Sequence, residues 1–258
     1  MGIVEKMRLD GKKGFVTGGA QGIGKCTATA LAEAGADVAI VDLNLEKAEE
    51  TAKEIAEKTG RKTIAIQCDV TKEEDVQNMV DTVVKELGGL DFCHANAGIC
   101  INEPAESMSY RQWLKNIDVN LNSVFLTDTI AGRYMLKQGH GSIINTASMS
   151  GHIVNVPQPQ CAYNSSKAGV IMLTKSLAVE WAKTGVRVNS ISPGYIGTDL
   201  IMNDSNLKPL IDKWNGMAPM GRLGHPEELE SIVVWLAGDT SPFCTGTDIV
   251  IDGAFTCF

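Results

Sequence analysis

Short apolar runs alternate along the chain with longer stretches in which apolar residues recur every three or four positions. The runs at 13–17 (KGFVT), 37–41 (DVAIV), 63–68, 90–95, 141–146 (GSIINT), 186–191 and 248–251 are bounded by glycines or polar turns, and most are rich in β-branched residues; together they predict seven strands. The stretches at 24–35, 45–59, 73–87, about 107–137, 162–183 and 226–238 carry the helical period, and Gly35, Gly60, Gly88 and Gly185 stand where helices stop. Runs such as VAIV, apolar at every position, suit strands covered on both faces, as in a parallel sheet.

Strands that alternate with helices are joined by right-handed crossovers. The expected fold is therefore α/β, a Rossmann-like, doubly wound parallel sheet of seven strands with helices on both faces. No repeat, linker or low-complexity tract interrupts the pattern, so residues 1–258 read as one domain. Sheets of this kind hold ligands beyond the carboxyl ends of their strands, which directs attention to the residues after each run.

After the first run comes Thr17-Gly18-Gly19-Ala20-Gln21-Gly22-Ile23-Gly24. Glycine at 18, 22 and 24 permits a tight turn and close approach of backbone to a pyrophosphate, and the helix start behind it offers free N–H groups. Gln21 and Ile23 belong to the same candidate cradle. Asp42 ends the second run, eighteen residues after Gly24. A carboxylate there accepts hydrogen bonds from ribose hydroxyls and repels a 2′-phosphate. No Arg or Lys lies within residues 18–24 or directly after Asp42, so the expected cofactor is NAD, with NADP disfavoured. A blander reading competes, in which Asp42 caps the helix from 45.

Tyr163 and Lys167 are four residues apart at the start of a helix and share a face. A free phenol titrates near pH ~10, and a neighbouring ammonium favours the phenolate, so the pair suits acid–base work. Ser148, fifteen residues earlier, ends the strand GSIINT and can hold a substrate oxygen beside the phenol. Asn120 lies in the middle of the longest helical stretch, where Asn is unfavourable. A bond to backbone, and a water leading to Lys167, would explain it.

These motifs, in this order, resemble the short-chain dehydrogenase/reductase family over essentially the whole chain. The resemblance adds Asp69-Val70 after the third strand, Asn96-Ala97-Gly98 after the fourth, and Pro193-Gly194 with Ile196 and Thr198 after the sixth. It implies adenine contacts from Asp69 and Val70, support of the sheet and ribose from Asn96, Ala97 and Gly98, and nicotinamide contacts from 193–198. It also implies a tetrad of Asn120, Ser148, Tyr163 and Lys167, in which Tyr163 and Lys167 touch the cofactor as well. The implied reaction is hydride transfer between a nicotinamide ring and a carbon bearing oxygen.

Composition narrows the class further. A net charge of -8 argues against a nucleic-acid partner, and no apolar run approaches the ~20 residues of a membrane span. The seven Cys are odd in number and irregular in spacing, which fits reduced thiols in a cytoplasmic protein. The four His show no metal-ligand spacing, and no metal is expected.

Two stretches should meet the small-molecule alcohol or ketone. Residues 149–160 (MSGHIVNVPQPQ) offer His152, Asn155, Gln158 and Gln160, and with Ser148 and Tyr163 they suit a hydroxyl-rich substrate. A lid over about 198–221 carries an apolar stripe that includes Ile201, Met202, Trp214 and Met220. The pattern around 148–181 resembles the family branch acting on sugars and polyols, such as sorbose reductases and mannitol dehydrogenases. The end, Asp252-Gly253-Ala254-Phe255-Thr256, departs from the DGGYT of that branch. A hydroxysteroid or other bulky alcohol is the second reading, and a non-catalytic NAD-binding sensor the third. The resemblance and the apolar C-terminal segment, which includes Ile249, Val250, Ile251, Phe255 and Phe258, imply a homotetramer.

Overall fold

The computed structural model describes residues 2–203 and 207–257, except the side chain of residue 200. Phe258 and residues 204–206 of the expected lid lie outside the described residues.

The strands are β1 (Lys13–Thr17), β2 (Asp37–Asp42), β3 (Thr63–Gln67), β4 (Phe92–Ala95), β5 (Gly141–Thr146), β6 (Val186–Pro193) and β7 (Asp248–Ile251). They form one parallel sheet in the order β3-β2-β1-β4-β5-β6-β7. The helices are α1 (Ile3–Lys6), α2 (Gly22–Glu33), α3 (Leu45–Thr59), α4 (Glu73–Leu87), α5 (Tyr110–Ile117), α6 (Ser123–Gln138), α7 (Cys161–Trp181), α8 (Asp199–Met202), α9 (Lys208–Met217) and α10 (Glu230–Ala237).

Alternation along the strands explains why their runs are apolar throughout. Phe15, Ala39, Val41 and Ile143 point to the layer that contains residues of α4, α6 and α7. Their neighbours Val16, Val38, Ile40 and Ile144 point to the layer that contains residues of α2, α3 and α10. With helices on both faces, neither side chain of a strand pair meets water.

The structure departs from the expected elements in one place that matters for the site. The stretch expected as a single helix from about 107 to 137 is two helices joined by a π-helical turn, Asp118–Asn122. The Ser123 N–H reaches back five residues to the Asp118 carbonyl, which widens the helix there. Such turns insert one residue and frequently occur at functional sites. Here the turn buries Asn120 completely. Elsewhere the differences are small: β4 starts two residues later than expected, β6 runs on to Pro193, and Pro226–Leu229 is a 3-10 turn ahead of α10. The short α1 has no counterpart in the sequence reading.

Candidate active site

Every sequence-derived site residue falls at or beyond the carboxyl edge of the sheet, or on the elements that cover it. The first turn is the tightest part. Gly18 and Gly22 have φ of 61° and 56°, in the left-handed region that favours glycine. A Cβ on Gly24 would lie 2.1 Å from the Gly18 carbonyl oxygen and 2.7 Å from Asn96 Nδ2. Gln21 stands at the start of α2 with no side-chain bond to the helix's N–H groups, so the first of these remain available to an anionic ligand.

Asn96 and Ala97 clamp this turn from β4. Their backbone N–H groups donate to Thr17 Oγ1 at 3.0 and 3.1 Å, and Asn96 Nδ2 donates to the Thr17 carbonyl at 3.1 Å. Beneath them His94 is fully buried between Thr27 Oγ1 (3.1 Å) and Thr146 Oγ1 (2.8 Å), and burial pushes its pKa down to about 3. The sequence offers His94 only as one of four His without metal-ligand spacing. Its place on a strand that ends at the site is the signal that could have found it.

Asp42 accepts from the Ala20 N–H (3.2 Å) and the Asn44 N–H (3.1 Å). It is not the cap of α3; Asn44 is, accepting from the Lys47 N–H at 3.1 Å. The same geometry reveals a cation that the sequence hides. Lys47 Nζ donates to Gln21 Oε1 at 2.6 Å, bringing an ammonium to the glycine turn from twenty-six residues away. The cradle of glycines, the open helix start and the Asp42 carboxylate fit a dinucleotide.

Asp69 and Val70 follow β3. Asp69 accepts from Thr71 N–H (3.1 Å) and Thr71 Oγ1 (2.6 Å), which with Lys72 holds its carboxyl below the ordinary value. Val70 packs against the α4–α7 layer. Pro193 ends β6, and Gly194 lies so close to Asp252 that a Cβ would meet its Cα at 2.7 Å. Ile196 bridges to Gly224. Thr198 comes beside the glycine turn: its Cγ2 lies 3.5 Å from where a Cβ on Gly22 would be.

Two members of the expected tetrad, Asn120 and Lys167, flank Gly98, and Tyr163 lies between Lys167 and the Ser148 hydroxyl. Lys167 is buried, with Nζ 5.7 Å from the Tyr163 ring centroid and donating to the Thr146 carbonyl at 2.7 Å. Asn120 accepts from the Ile99 N–H and donates to the Ile99 carbonyl, both at 2.8 Å. A Cβ on Gly98 would lie 3.1 Å from Asn120 Oδ1 and 3.6 Å from Lys167 Nζ, so glycine leaves a small gap between the two. Ser148 caps a 3-10 turn and accepts from the Ser150 N–H at 3.1 Å. Burial pushes Tyr163 up to about 12, and the neighbouring Ser148 hydroxyl offsets part of that. Burial also pushes Lys167 down to about 8. Burial therefore governs the phenol, and the expected lowering by Lys167 is not among the influences on it. Tyr163 holds its proton at neutral pH.

The substrate-side residues are placed differently from expectation. His152 Nε2 lies 2.7 Å from Asp248 Oδ2 on β7. Asn155 and Gln158 are buried, and both donate to a residue the sequence reading missed: Tyr195 Oη, at 3.0 and 2.7 Å. Gln158 Oε1 accepts from Trp214 Nε1 at 3.3 Å. Gln160 Nε2 donates to Asn164 Oδ1 at 2.8 Å and to Asn155 Oδ1 at 3.2 Å. Tyr195 stacks on Trp214 with centroids 4.3 Å apart and planes 12° apart, and meets Phe255 edge-on at 5.4 Å. A cavity of about 100 Å³ lies between these rings, Met220 and Arg222, but neither Ser148 nor Tyr163 lines it. Tyr195 was findable, since it stands two residues past Pro193 at the carboxyl end of a strand.

Residues 18–256 match the family model described as enoyl-(acyl carrier protein) reductase. The chain is 43% identical over 258 residues to a sorbose reductase of Candida albicans, covering 99% of this chain and 90% of that one. It is 41% identical to a probable NADP-dependent mannitol dehydrogenase of Yarrowia lipolytica, covering 99% and 91%. A crystal structure of a short-chain type dehydrogenase/reductase from Mycobacterium marinum superposes with a TM-score of 0.96 at 44% identity, covering both chains fully.

Proposed function

The chain belongs to the short-chain dehydrogenase/reductase family, its relatives include a sorbose reductase and a probable NADP-dependent mannitol dehydrogenase, and from that premise we propose that it interconverts a polyol and its ketose. The observation that carries the reading is the chain of contacts from Ser148 to Tyr163 to Lys167, with Asn120 across Gly98 from Lys167, beside a glycine cradle that fits a dinucleotide. Bound there, the nicotinamide ring accepts or supplies the hydride. Tyr163 Oη moves the proton, to the forming alkoxide in reduction and from the hydroxyl in oxidation. Ser148 orients that oxygen and stabilises charge on it. Lys167 presents a cation beneath the phenol, and Asn120 fixes the loop after β4 at Ile99 so that the gap at Gly98 stays open. Because Tyr163 is pushed up to about 12, its acid form dominates at neutral pH, and oxidation should quicken as pH rises while reduction does not.

The relatives named for sorbose and mannitol favour a polyol. The aromatic cluster of Tyr195, Trp214 and Phe255 favours a bulkier apolar alcohol such as a hydroxysteroid as the second reading. We assign NAD as the preferred cofactor on the position of Asp42 alone, although three of the relatives carry NADP in their names. Lys47 beside Gln21 narrows that preference. The protein is assigned to the cytoplasm, which suits its free cysteines, and to a homotetramer. Two apolar faces support the assembly: Tyr110, Phe125, Met172 and Val179 on α5–α7, and Phe243 with Val250 near β7, all exposed.

The test is a screen for NAD reduction with sorbitol, mannitol, xylitol and arabinitol beside a panel of hydroxysteroids. Turnover of at least one polyol with kcat/KM above that of every steroid is expected. Hydroxysteroids used at micromolar KM, with every polyol far weaker, would overturn the polyol reading.

A further inference from the structure

The hydrogen-bond partners of Tyr195 leave one donor without an acceptor. A phenol oxygen carries one hydrogen and accepts through its lone pairs. Tyr195 Oη takes N–H donors from both Asn155 and Gln158. The carbonyl oxygens of those two amides are turned elsewhere, one to Gln160 Nε2 and the other to Trp214 Nε1. Neither can accept from Tyr195. Among the described residues no other acceptor for its O–H is present, so the proton is free to be given to a ligand.

Three further observations say where that ligand lies. Tyr195 stands at the carboxyl end of β6, the same sheet edge as Asn96 and Ser148. Asn155 and Gln158 come from the segment that joins Ser148 to Tyr163, so the residues holding Tyr195 are tied covalently to both reacting groups. Cys100, in the loop after β4, reaches the same segment: its thiol contacts Gln160 Oε1 at 3.9 Å. The ring itself is half-buried and held on two sides by Trp214 and Phe255, so the hydroxyl is fixed rather than free to turn away.

We propose that Tyr195 is a specificity residue, donating its hydroxyl proton to a second oxygen of the substrate, and that Asn155 and Gln158 hold it in place. This rests on the polyol reading above and deepens it. Discrimination for a hydroxyl-rich ligand then comes from one aimed phenol, while the amides that looked like ligand contacts are the positioning residues behind it. A site built around a donor of this kind rejects an alcohol that lacks the matching oxygen, because the buried donor is left unpaired.

The experiment measures kcat/KM for wild type, Tyr195→Phe and Gln158→Leu on the best polyol, on its mono-deoxy analogues and on cyclohexanol. In Tyr195→Phe the ratio of polyol to cyclohexanol efficiency should fall about 10- to 100-fold. One deoxy analogue should lose the same factor with wild type and nothing further with the variant, which identifies the oxygen that is read. Gln158→Leu keeps the phenol but loosens it, so its ratio should fall in the same direction by less. Equal losses on every alcohol, or no change in ratio in either variant, would overturn the proposal and leave Tyr195 a packing residue. The wild-type measurements judge the polyol reading separately. If no polyol is used, the variants' ratios on the alcohol that is used, against its deoxygenated analogues, still decide whether Tyr195 reads a second oxygen.

Discussion

At the cofactor end of the cleft, shape is set by backbone. Gly18 and Gly22 occupy left-handed conformations, Gly24 has no room for a methyl group, and Thr17, Asn96 and Ala97 tie two strand ends together through main-chain donors. At the substrate end, shape is set by side chains that meet across the fold. Asn155 and Gln158 meet Tyr195 forty and thirty-seven residues on, and Gln158 meets Trp214 fifty-six residues on. A backbone-built site tolerates few residue types, so its composition betrays it. A side-chain-built site can be assembled from many combinations, and a given amide can face either the ligand or its own neighbours.

The sharpest way to test that contrast is at Gly24. Gly24→Ala puts a methyl group 2.1 Å from a carbonyl oxygen of the glycine turn, so the turn must open. Fluorescence titration should show NADH affinity weaker by about 100-fold or more, in line with a cradle that depends on close backbone approach. Gly60 is the control. Its φ is 69° but nothing lies within 4 Å of a Cβ there, so Gly60→Ala should cost only about 1 kcal/mol of stability and leave NADH binding unchanged. Equal effects at the two glycines would break the comparison.

Next in size is Asp42→Ala. Loss of the carboxylate removes repulsion of a 2′-phosphate, and the NAD-to-NADP ratio of kcat/KM should fall about 10-fold. Lys47→Ala should move the ratio the other way by less, since its ammonium sits at Gln21. A preference for NADP in the wild type would sink the reading of Asp42.

Much of the fold was legible because it depends on local signals. Unbroken apolar runs such as VAIV mark strands buried on both faces, and glycines mark helix ends, whatever the rest of the chain does. Asp42, Ser148, Tyr163 and Lys167 were legible for a similar reason, as residues just past a strand or one helical turn apart. The π turn at Asp118–Asn122 was not, since no local residue pattern marks it and the bond it gives Asn120 is to Ile99, twenty-one residues away. Lys47 was hidden because α3 folds back on the glycine turn, and His94 because a buried neutral imidazole resembles any core residue in sequence. Asn155 and Gln158 were noticed, but their partner was not. Which way an amide faces depends on a residue tens of positions away.

Acid should expose the buried polar layer under the cofactor end. The pKa of His94 is pushed down to about 3, so the unfolded chain binds more protons than the native one below its ordinary value of 6.5. Its contribution is complete above pH 6.5 and is lost as pH falls toward 3, at up to about 1.4 kcal/mol per unit. Asp128, buried on α6 and pushed up to about 8, has the opposite sign: stability is lost as pH rises from 3.8 toward 8. In urea unfolding the two slopes should oppose each other between pH 4 and 6.5. Asp128→Asn should uncover the acid slope below about pH 6.5 and flatten the alkaline one. Identical profiles for wild type and Asp128→Asn would contradict the assignment.

The smallest effect belongs to the C-terminal segment at the substrate end. Ala254 has φ of 68°, the only left-handed non-glycine among the described residues, where the sugar branch it resembles carries glycine. Ala254→Gly should raise stability by about 1 kcal/mol without altering the NAD-to-NADP ratio. Destabilisation by glycine would show that the methyl group packs favourably there.

The central claim, that the cluster at Tyr163 transfers hydride from a carbinol carbon to nicotinamide, is tested most directly with carbon-deuterated polyol. The account predicts that wild type places deuterium on the nicotinamide ring of the reduced cofactor, with a primary isotope effect on single-turnover reduction. It also predicts that Tyr163→Phe binds NADH within about 3-fold of wild type yet transfers label at least 10³-fold more slowly. Reduced cofactor without label, or wild-type transfer in Tyr163→Phe, would contradict it.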